Sequence, residues 1–391
     1  PPRLRIPGVP STFRRMTNHS DMLTDAHRDL VDRFRAGQRA ALARVISVIE
    51  NQRPGFQELL HALHAGAPAA RRIGITGPPG AGKSTLTAAL IRRFRERGET
   101  VGVIAVDPTS PYTGGALLGD RIRMNEVAQG EGVFIRSMAT RGALGGIAAA
   151  TREVMDVLAA YGFDLVLVET VGVGQSELDI AAAADTTAVV LVPESGDSIQ
   201  TMKAGLMEAA DVFVVNKADR PGADRLAREV EMMLHFRLGE GTRNMPAHHG
   251  VQLKSAATAG TGRPPRRALE DAGDPTPARP ESTAGGGEAP ESEPWPIPVL
   301  LTSAEKGDGL DTLVDGLDRH AAWLAGSGEL ERRRRARLEE RVRDAVQQRL
   351  LVRTWKEGDG QAILEAVMPA LSAGETTPYE VADRIVRSIG R

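Results

Sequence analysis

Gly77-Pro78-Pro79-Gly80-Ala81-Gly82-Lys83-Ser84 has the spacing of a phosphate cradle. In the pattern G-x-x-x-x-G-K-[ST], glycines let backbone N–H groups turn toward α- and β-phosphates, Lys83 reaches the β and γ oxygens, and the Ser84 hydroxyl suits Mg²⁺; Thr85 is counted with the nucleotide-binding residues. Asn216-Lys217-Ala218-Asp219, further along, selects the base. A carboxylate in the base plane accepts from both N1–H and the exocyclic amine of guanine, a donor pair that adenine lacks, so GTP and GDP are the expected nucleotides. Only six lysines occur among 49 basic residues; Lys83, Lys203 and Lys217 fall in motif segments, and Lys306 falls in a candidate second base loop formed by Ser303, Ala304 and their neighbours. A compact ammonium at a phosphate is not replaceable by a forked guanidinium.

Two carboxylates are candidates for the metal. Asp107 ends the apolar run from Val101, where it can hold Mg²⁺ through water or orient the attacking water; an Asp opening a turn before Pro108 is the structural alternative. Leu165-Val166-Leu167-Val168-Glu169-Thr170-Val171-Gly172 puts Glu169 on a second strand, with Gly172 able to approach and then release a γ-phosphate. Ras-like enzymes carry a water-orienting Gln directly after that glycine. Here the position is Val173, and Gln175 comes two residues later, so intrinsic hydrolysis is expected to be slow until a partner protein, a second subunit or a repositioned residue completes the site.

These residues need strands that end together. The sequence supplies candidate strands at Arg72–Thr76, Val101–Asp107, Val133–Arg136, Leu165–Glu169, Thr187–Val192, Val212–Asn216 and Pro298–Thr302, alternating with helical segments. Continuous β-branched runs of this kind suit a mostly parallel sheet covered by helices on both faces, an α/β P-loop NTPase whose ligands sit at the strands' carboxyl ends. Before it, Thr24–Glu50 reads as one helix and Gly55–Ala65 as another, behind a loose tail. Gly239–Pro296, with nine prolines and nine glycines and no burying period, reads as a disordered insertion; His248 and His249 within it read as solvated. After a helix from Leu310 to about Leu324, an Arg/Glu-rich helix over Glu329–Arg353 carries Leu338, Val342, Val346 and Leu350 four apart, a stripe that can pack on its own domain or, as favoured, on a second copy. The implied organisation is an N-terminal extension over 1–65, a GTPase domain over 66–325 interrupted by the 239–296 insertion, and a C-terminal helical segment over 326–391.

A 391-residue chain with 41% hydrophobic residues can bury a proper core. With a formal charge of −2 it has no basic field for nucleic acid, and with no cysteine it has no disulfide, thiolate metal site or Cys nucleophile. No apolar run of about 20 residues and no signal-peptide pattern occurs, so the expectation is an intracellular, cytoplasmic protein without a membrane partner. The chain begins at Pro1, so its native start is expected upstream.

Taken in order, the phosphate loop, Val106-Asp107-Pro108-Thr109-Ser110, Leu118-Gly119-Asp120, Glu169-Thr170-Val171-Gly172-Val173-Gly174-Gln175 and Asn216-Lys217-Ala218-Asp219 resemble the methylmalonyl-CoA mutase-associated GTPases, the MeaB/ArgK group, over roughly residues 25–238 and 295–390. The resemblance implies a homodimeric G-protein chaperone that gates cofactor loading of an adenosylcobalamin-dependent acyl-CoA mutase, with Ser84, Asp107, Asp120 and Glu169 around Mg²⁺ and a C-terminal dimerisation arm including Pro378–Ile389. It also implies a first switch over Asp107–Asp120, a second over Glu169–Gln175, and a third over Glu194–Lys203, in which Lys203 would meet a carboxylate near the γ-phosphate; read from the residues alone, that last segment is a polar loop with a solvated lysine. The 239–296 insertion is longer than the resemblance leads one to expect. A nickel-inserting GTPase shares the Mg²⁺ logic but needs Cys/His ligands, and a phosphotransferase acting on a transport-binding protein is opposed by the guanine-selecting motif.

Overall fold

Valine, isoleucine and leucine runs that can be buried on both faces favour strands inside a covered sheet. Seven such runs pair in the structure, a computed structural model that describes residues 23–64, 70–108, 130–140, 146–170, 182–194, 204–237 and 293–389. They are β1 (Arg71–Thr76), β2 (Val101–Pro108), β3 (Val133–Thr140), β4 (Leu165–Thr170), β5 (Thr186–Leu191), β6 (Val212–Val215) and β7 (Val299–Leu301). All neighbours are parallel, in the order β3-β2-β4-β1-β5-β6-β7. The N-terminal tail, the bulk of the Pro/Gly-rich insertion and His248 and His249 lie outside the described residues.

Alternation along β4 separates two apolar layers. Val166 and Val168 face a core built from α1 (Asp25–Arg35), α2 (Arg39–Glu50), α3 (Phe56–His64) and α5 (Gly146–Tyr161). Leu165 and Leu167 face the other core, with α4 (Lys83–Glu96) and α8 (Leu310–Gly326). Each fully buried Leu, Ile or Val stabilises this arrangement by about 1.5–3 kcal/mol, and both layers hold the central strands rigid where their ends must present chemistry. The short helix α6 (Ala204–Ala209) and the longer α7 (Ala223–Arg237) flank β6 in sequence. The chain divides into a unit up to Val230 and from Trp295, which holds the sheet, and a second unit, Glu231–Pro294, whose described part is the end of α7 and residues 293–294.

The helix expected over Thr24–Glu50 is two helices. Thr24 caps α1 by accepting from the His27 N–H at 3.2 Å, and the chain then turns at Gly37, whose φ of +75° is left-handed. The apolar period runs through the break, because both helices bury the same side, so period alone did not expose it.

Four arginines decide how the long helix α9 (Glu329–Trp355) sits on the sheet. Arg334 and Arg337 both ion-pair with Asp185, the residue before β5, whose side chain is 3% exposed; Arg333 pairs with Asp211 at 3.0 Å and Arg341 with Asp156 at 2.7 Å. Leu338, Val342, Val346 and Leu350 remain exposed, so charge and not the apolar stripe makes the contact with the body. Two further helices, α10 (Gly360–Ser372) and α11 (Pro378–Ile389), pack on α9. The second opens on a reciprocal cap, in which the Glu380 N–H donates to Thr377 Oγ1 at 3.3 Å and the Thr377 N–H to Glu380 Oε2 at 3.1 Å, with Pro378 at its first position. Among the described residues no helix is long and apolar enough to cross a membrane.

Burial raises the Asp185 carboxyl, but the hydrogen bond and charge of Arg334, with those of Arg337, outweigh it and hold the group below the usual carboxylate range. A depressed acid contributes stability that is present above its unfolded value and is lost as pH falls through the folded one. Asp185→Asn, which strands two guanidiniums, is therefore expected to destabilise the fold by about 3–5 kcal/mol at neutral pH. In denaturation series the gap between variant and parent should stay flat down to about pH 4 and close below it; a gap that is absent at pH 7 would show that α9 docks without this pair.

Candidate nucleotide-binding site

β1 lies between β4 and β5, where the chain, having filled one side of the sheet, begins to fill the other. A crevice forms at the carboxyl ends of strands at such a switch point. β1 ends at Thr76, the loop from Gly77 to Gly82 follows, and α4 starts at Lys83. The loop depends on backbone that side chains resist: Gly77 has φ +137° and a Cβ there would sit 2.1 Å from the Val190 carbonyl oxygen. Gly82 has φ +82° and a Cβ there would sit 2.5 Å from Asn216 Nδ2. Pro78, Pro79, Gly80 and Ala81 lie between, and Ala81 is fully buried.

Lys83 is 5% exposed, and its ammonium donates to the carbonyls of Gly77 at 2.8 Å and Pro78 at 2.9 Å. Ser84 Oγ donates to Glu169 Oε1 at 2.6 Å, joining the first turn of α4 to the end of β4. Beside them the Thr170 hydroxyl donates to Thr76 Oγ1 at 3.1 Å. Thr85 follows in the same first turn of α4. Asp107 stands on β2 one residue past the pairing of Val106 with Thr170, so its backbone reaches the same edge; its side chain, with Thr109, Ser110, Asp120, Val171–Gln175, Ser195–Thr201, Met202 and Lys203, lies outside the described residues. A hydroxyl and a carboxylate brought together at a strand end are hard oxygen donors, and that donor set fits Mg²⁺.

The Asn216–Asp219 loop is tied to the loop after β1 through one buried side chain. Asn216, 2% exposed, donates from Nδ2 to the Ala81 carbonyl at 2.9 Å, while its Oδ1 accepts from the Ala304 N–H at 3.1 Å and the Thr302 hydroxyl at 3.3 Å. Lys217 holds a left-handed φ of +57°, and its ammonium pairs with Glu194 at 3.3 Å. Glu194 also pairs with Arg220. Asp219 accepts from Ser303 Oγ at 3.0 Å and pairs with Lys306 at 3.0 Å. The Lys306 and Ser303 hydrogen bonds hold its carboxyl below the usual range, so it stays an acceptor at physiological pH. Three loops, after β1, β6 and β7, thus meet in one place. No local pattern marks Asn216 as the clamp on two of them, or Glu194 as the brace of the Asn216–Asp219 loop.

That clamp makes a test. Gly82→Ala meets both a left-handed backbone and Asn216, and strain of this kind is expected to weaken GTP and GDP binding by roughly ten- to a hundredfold. Titration with a fluorescent guanine nucleotide measures it; parental affinity would mean that Asn216 yields without disturbing either loop.

A family model for methylmalonyl-CoA mutase-associated GTPase MeaB matches residues 42–359. A chain of Pyrococcus abyssi named as a GTPase is 40% identical over 364 residues, covering 92% of this chain and 96% of that one. The mitochondrial methylmalonic aciduria type A homolog of Mus musculus is 37% identical over 222 residues, 52% of this chain and 54% of that protein. Among solved structures, a LAO/AO transport system kinase superposes with a TM-score of 0.61 at 25% identity, covering 94% of this chain and 99% of that one.

Proposed function

The chain belongs to the family of methylmalonyl-CoA mutase-associated GTPases, and from that premise we propose that it is a Mg²⁺-dependent GTPase switch that chaperones an adenosylcobalamin-dependent acyl-CoA mutase in the cytoplasm. GTP hydrolysis is the reaction of the family. The finer reading is that nucleotide state gates loading and protection of the mutase cofactor.

In this reading Lys83 reaches the β and γ oxygens from its carbonyl-held position, and the amides of Gly77–Ser84 cradle the α- and β-phosphates. Ser84, Glu169, Asp107 and Asp120 would hold the metal, and Mg²⁺ there would neutralise charge on the phosphate oxygens. Gly172 and Lys203 meet the γ-phosphate, and Asp219, with Asn216, Lys217, Ser303 and Ala304, holds guanine. Val173 in place of a water-orienting Gln keeps basal turnover slow until the partner binds. Residues 66–325 form the GTPase domain, and the helices over 326–391 are the dimerisation arm, whose exposed stripe of Leu338, Val342, Val346 and Leu350 suits a second copy.

The observation that supports the reading best is the Ser84 Oγ–Glu169 Oε1 hydrogen bond, which joins the first turn of α4 to the strand that leads into Gly172, where GTP and GDP would be told apart at the γ-phosphate. The ion pairs of Glu194 with Lys217 and Arg220 support a second link, between the start of the Glu194–Lys203 segment and the loop that would hold guanine, which both nucleotides share. The test is GTP turnover with Mg²⁺, alone and with a titrated cobalamin-dependent acyl-CoA mutase, with ATP as control. A slow GTP-selective rate that rises and saturates with mutase supports the chaperone reading; a rate indifferent to methylmalonyl-, isobutyryl- and ethylmalonyl-CoA mutases leaves a GTPase with another client.

A further inference from the structure

Five arginines, Arg72, Arg152, Arg334, Arg337 and Arg341, line one cavity of about 210 Å³ between the start of β1, α5 and the first half of α9. Arg72 and Arg341 share Asp156, each at 2.7 Å; Arg334 and Arg337 share Asp185; Arg152 reaches the half-exposed Asp344 at 3.3 Å. Five guanidiniums thus meet three carboxylates. Glu153 is the further acid beside Arg341 and Asp156, but burial pushes its carboxyl up to about 7, so near neutral pH it supplies a fraction of one charge. Cationic charge exceeds anionic charge around the cavity. Burial first, and the neighbouring Arg72 and Arg334 guanidiniums with it, pull Arg337 below the usual arginine range against the attraction of Asp185. The Arg72 Nε is buried with no hydrogen-bond partner among the described residues.

The cavity is not the nucleotide site. Arg72 lies at the start of β1 and the phosphate loop follows its end at Thr76. At about 3.3 Å per residue the two are separated by roughly the length of the strand. At about 210 Å³ it is also smaller than the roughly 300–1,000 Å³ usual for pockets that bury drug-sized ligands. Guanidinium forks match the oxygens of phosphate and carboxylate groups.

We propose that this cavity is a second anion site, which takes a small multivalent oxyanion of the phosphate class and thereby clamps α9 to the sheet. Three of its arginines come from α9 and two from β1 and α5, so an anion at their centre bridges the arm to the body and relieves the repulsion that otherwise loosens it.

The test uses the full chain saturated with a non-hydrolysable GTP analogue, which fills the phosphate loop, and titrates inorganic phosphate at constant ionic strength against chloride. The expected result is saturable heat of binding and a saturable rise in thermal midpoint. Arg152→Gln, which leaves the Asp156 and Asp185 pairs intact, should weaken phosphate by about tenfold, with Arg152→Lys between the two; Arg341→Gln serves as a second variant. Absence of saturable binding, a midpoint that follows ionic strength alone, or unchanged affinity in both glutamine variants would overturn the proposal.

Discussion

Lys83→Ala should lower the rate of GTP hydrolysis at saturating nucleotide by roughly 10²–10³-fold, the loss that follows removal of one preorganised group aimed at developing charge. Lys83 opens α4, so its ammonium is carried by a helix whose inner face is packed against β1. Two main-chain carbonyls, those of Gly77 and Pro78, fix where that ammonium points. Carbonyls orient an ammonium without cancelling its charge, and in a site shielded from water that charge acts on phosphate oxygens more strongly than it would at the surface. Lys83→Arg is expected to lose nearly as much, because a planar fork cannot occupy the position of a compact ammonium that is 5% exposed. Lys83→Ala adds no bulk, so its thermal midpoint should move little while phosphate release collapses, whereas Lys83→Arg, which must be forced into a buried position, is expected to lower the midpoint as well. Turnover close to the parent's in either variant would take Lys83 out of the reaction.

The parts of this molecule that sequence made legible are those where chemistry or burial fixes residue type. Val212–Val215 and Leu165–Val168 read as strands because each of their side chains must be apolar, whichever face it meets. Gly77 and Gly82 read as a phosphate loop because a Cβ at either would collide with Val190 or Asn216. Where tertiary contacts decide, the sequence was silent. β3 runs on to Thr140, past the expected end at Arg136, because β2 offers continued backbone pairing as far as Pro108 and Thr140. Within the segment read as helical over 326–391, α10 had no bounds of its own, since Pro369 inside it and Gly360 at its start interrupt the local pattern of a helix that contacts with α9 support. Arg334 and Asp185 are 149 residues apart, and nothing in a run of arginines tells which will find a buried carboxylate and which will stay in water. The same limit hid the cavity that those arginines line.

Asp219→Asn tests the other half of the nucleotide site and should weaken GTP binding by roughly 10²–10⁴-fold without raising affinity for ATP, since it removes two charge-assisted hydrogen bonds to guanine. The carboxylate is already oriented for the base, because Ser303 holds one oxygen and Lys306 pairs with the other, leaving the remaining lone pairs of both for guanine. An amide in its place keeps the shape and can still accept once, but it presents an N–H to the guanine amine, two donors facing each other. Xanthine carries a carbonyl where guanine carries that amine. Asp219→Asn is therefore expected to recover affinity for xanthosine triphosphate, which a fold disrupted by the substitution would not do. Competition titrations with GTP, ATP and xanthosine triphosphate against one fluorescent nucleotide separate the cases. A uniform loss for all three would point to a disordered loop, and unchanged GTP affinity would move base selection away from Asp219. Because Asn216 joins this loop to the Ala81 carbonyl, the variant should leave the phosphate loop itself in place. Inorganic pyrophosphate should then compete as well with the variant as with the parent, so that the loss is confined to the base.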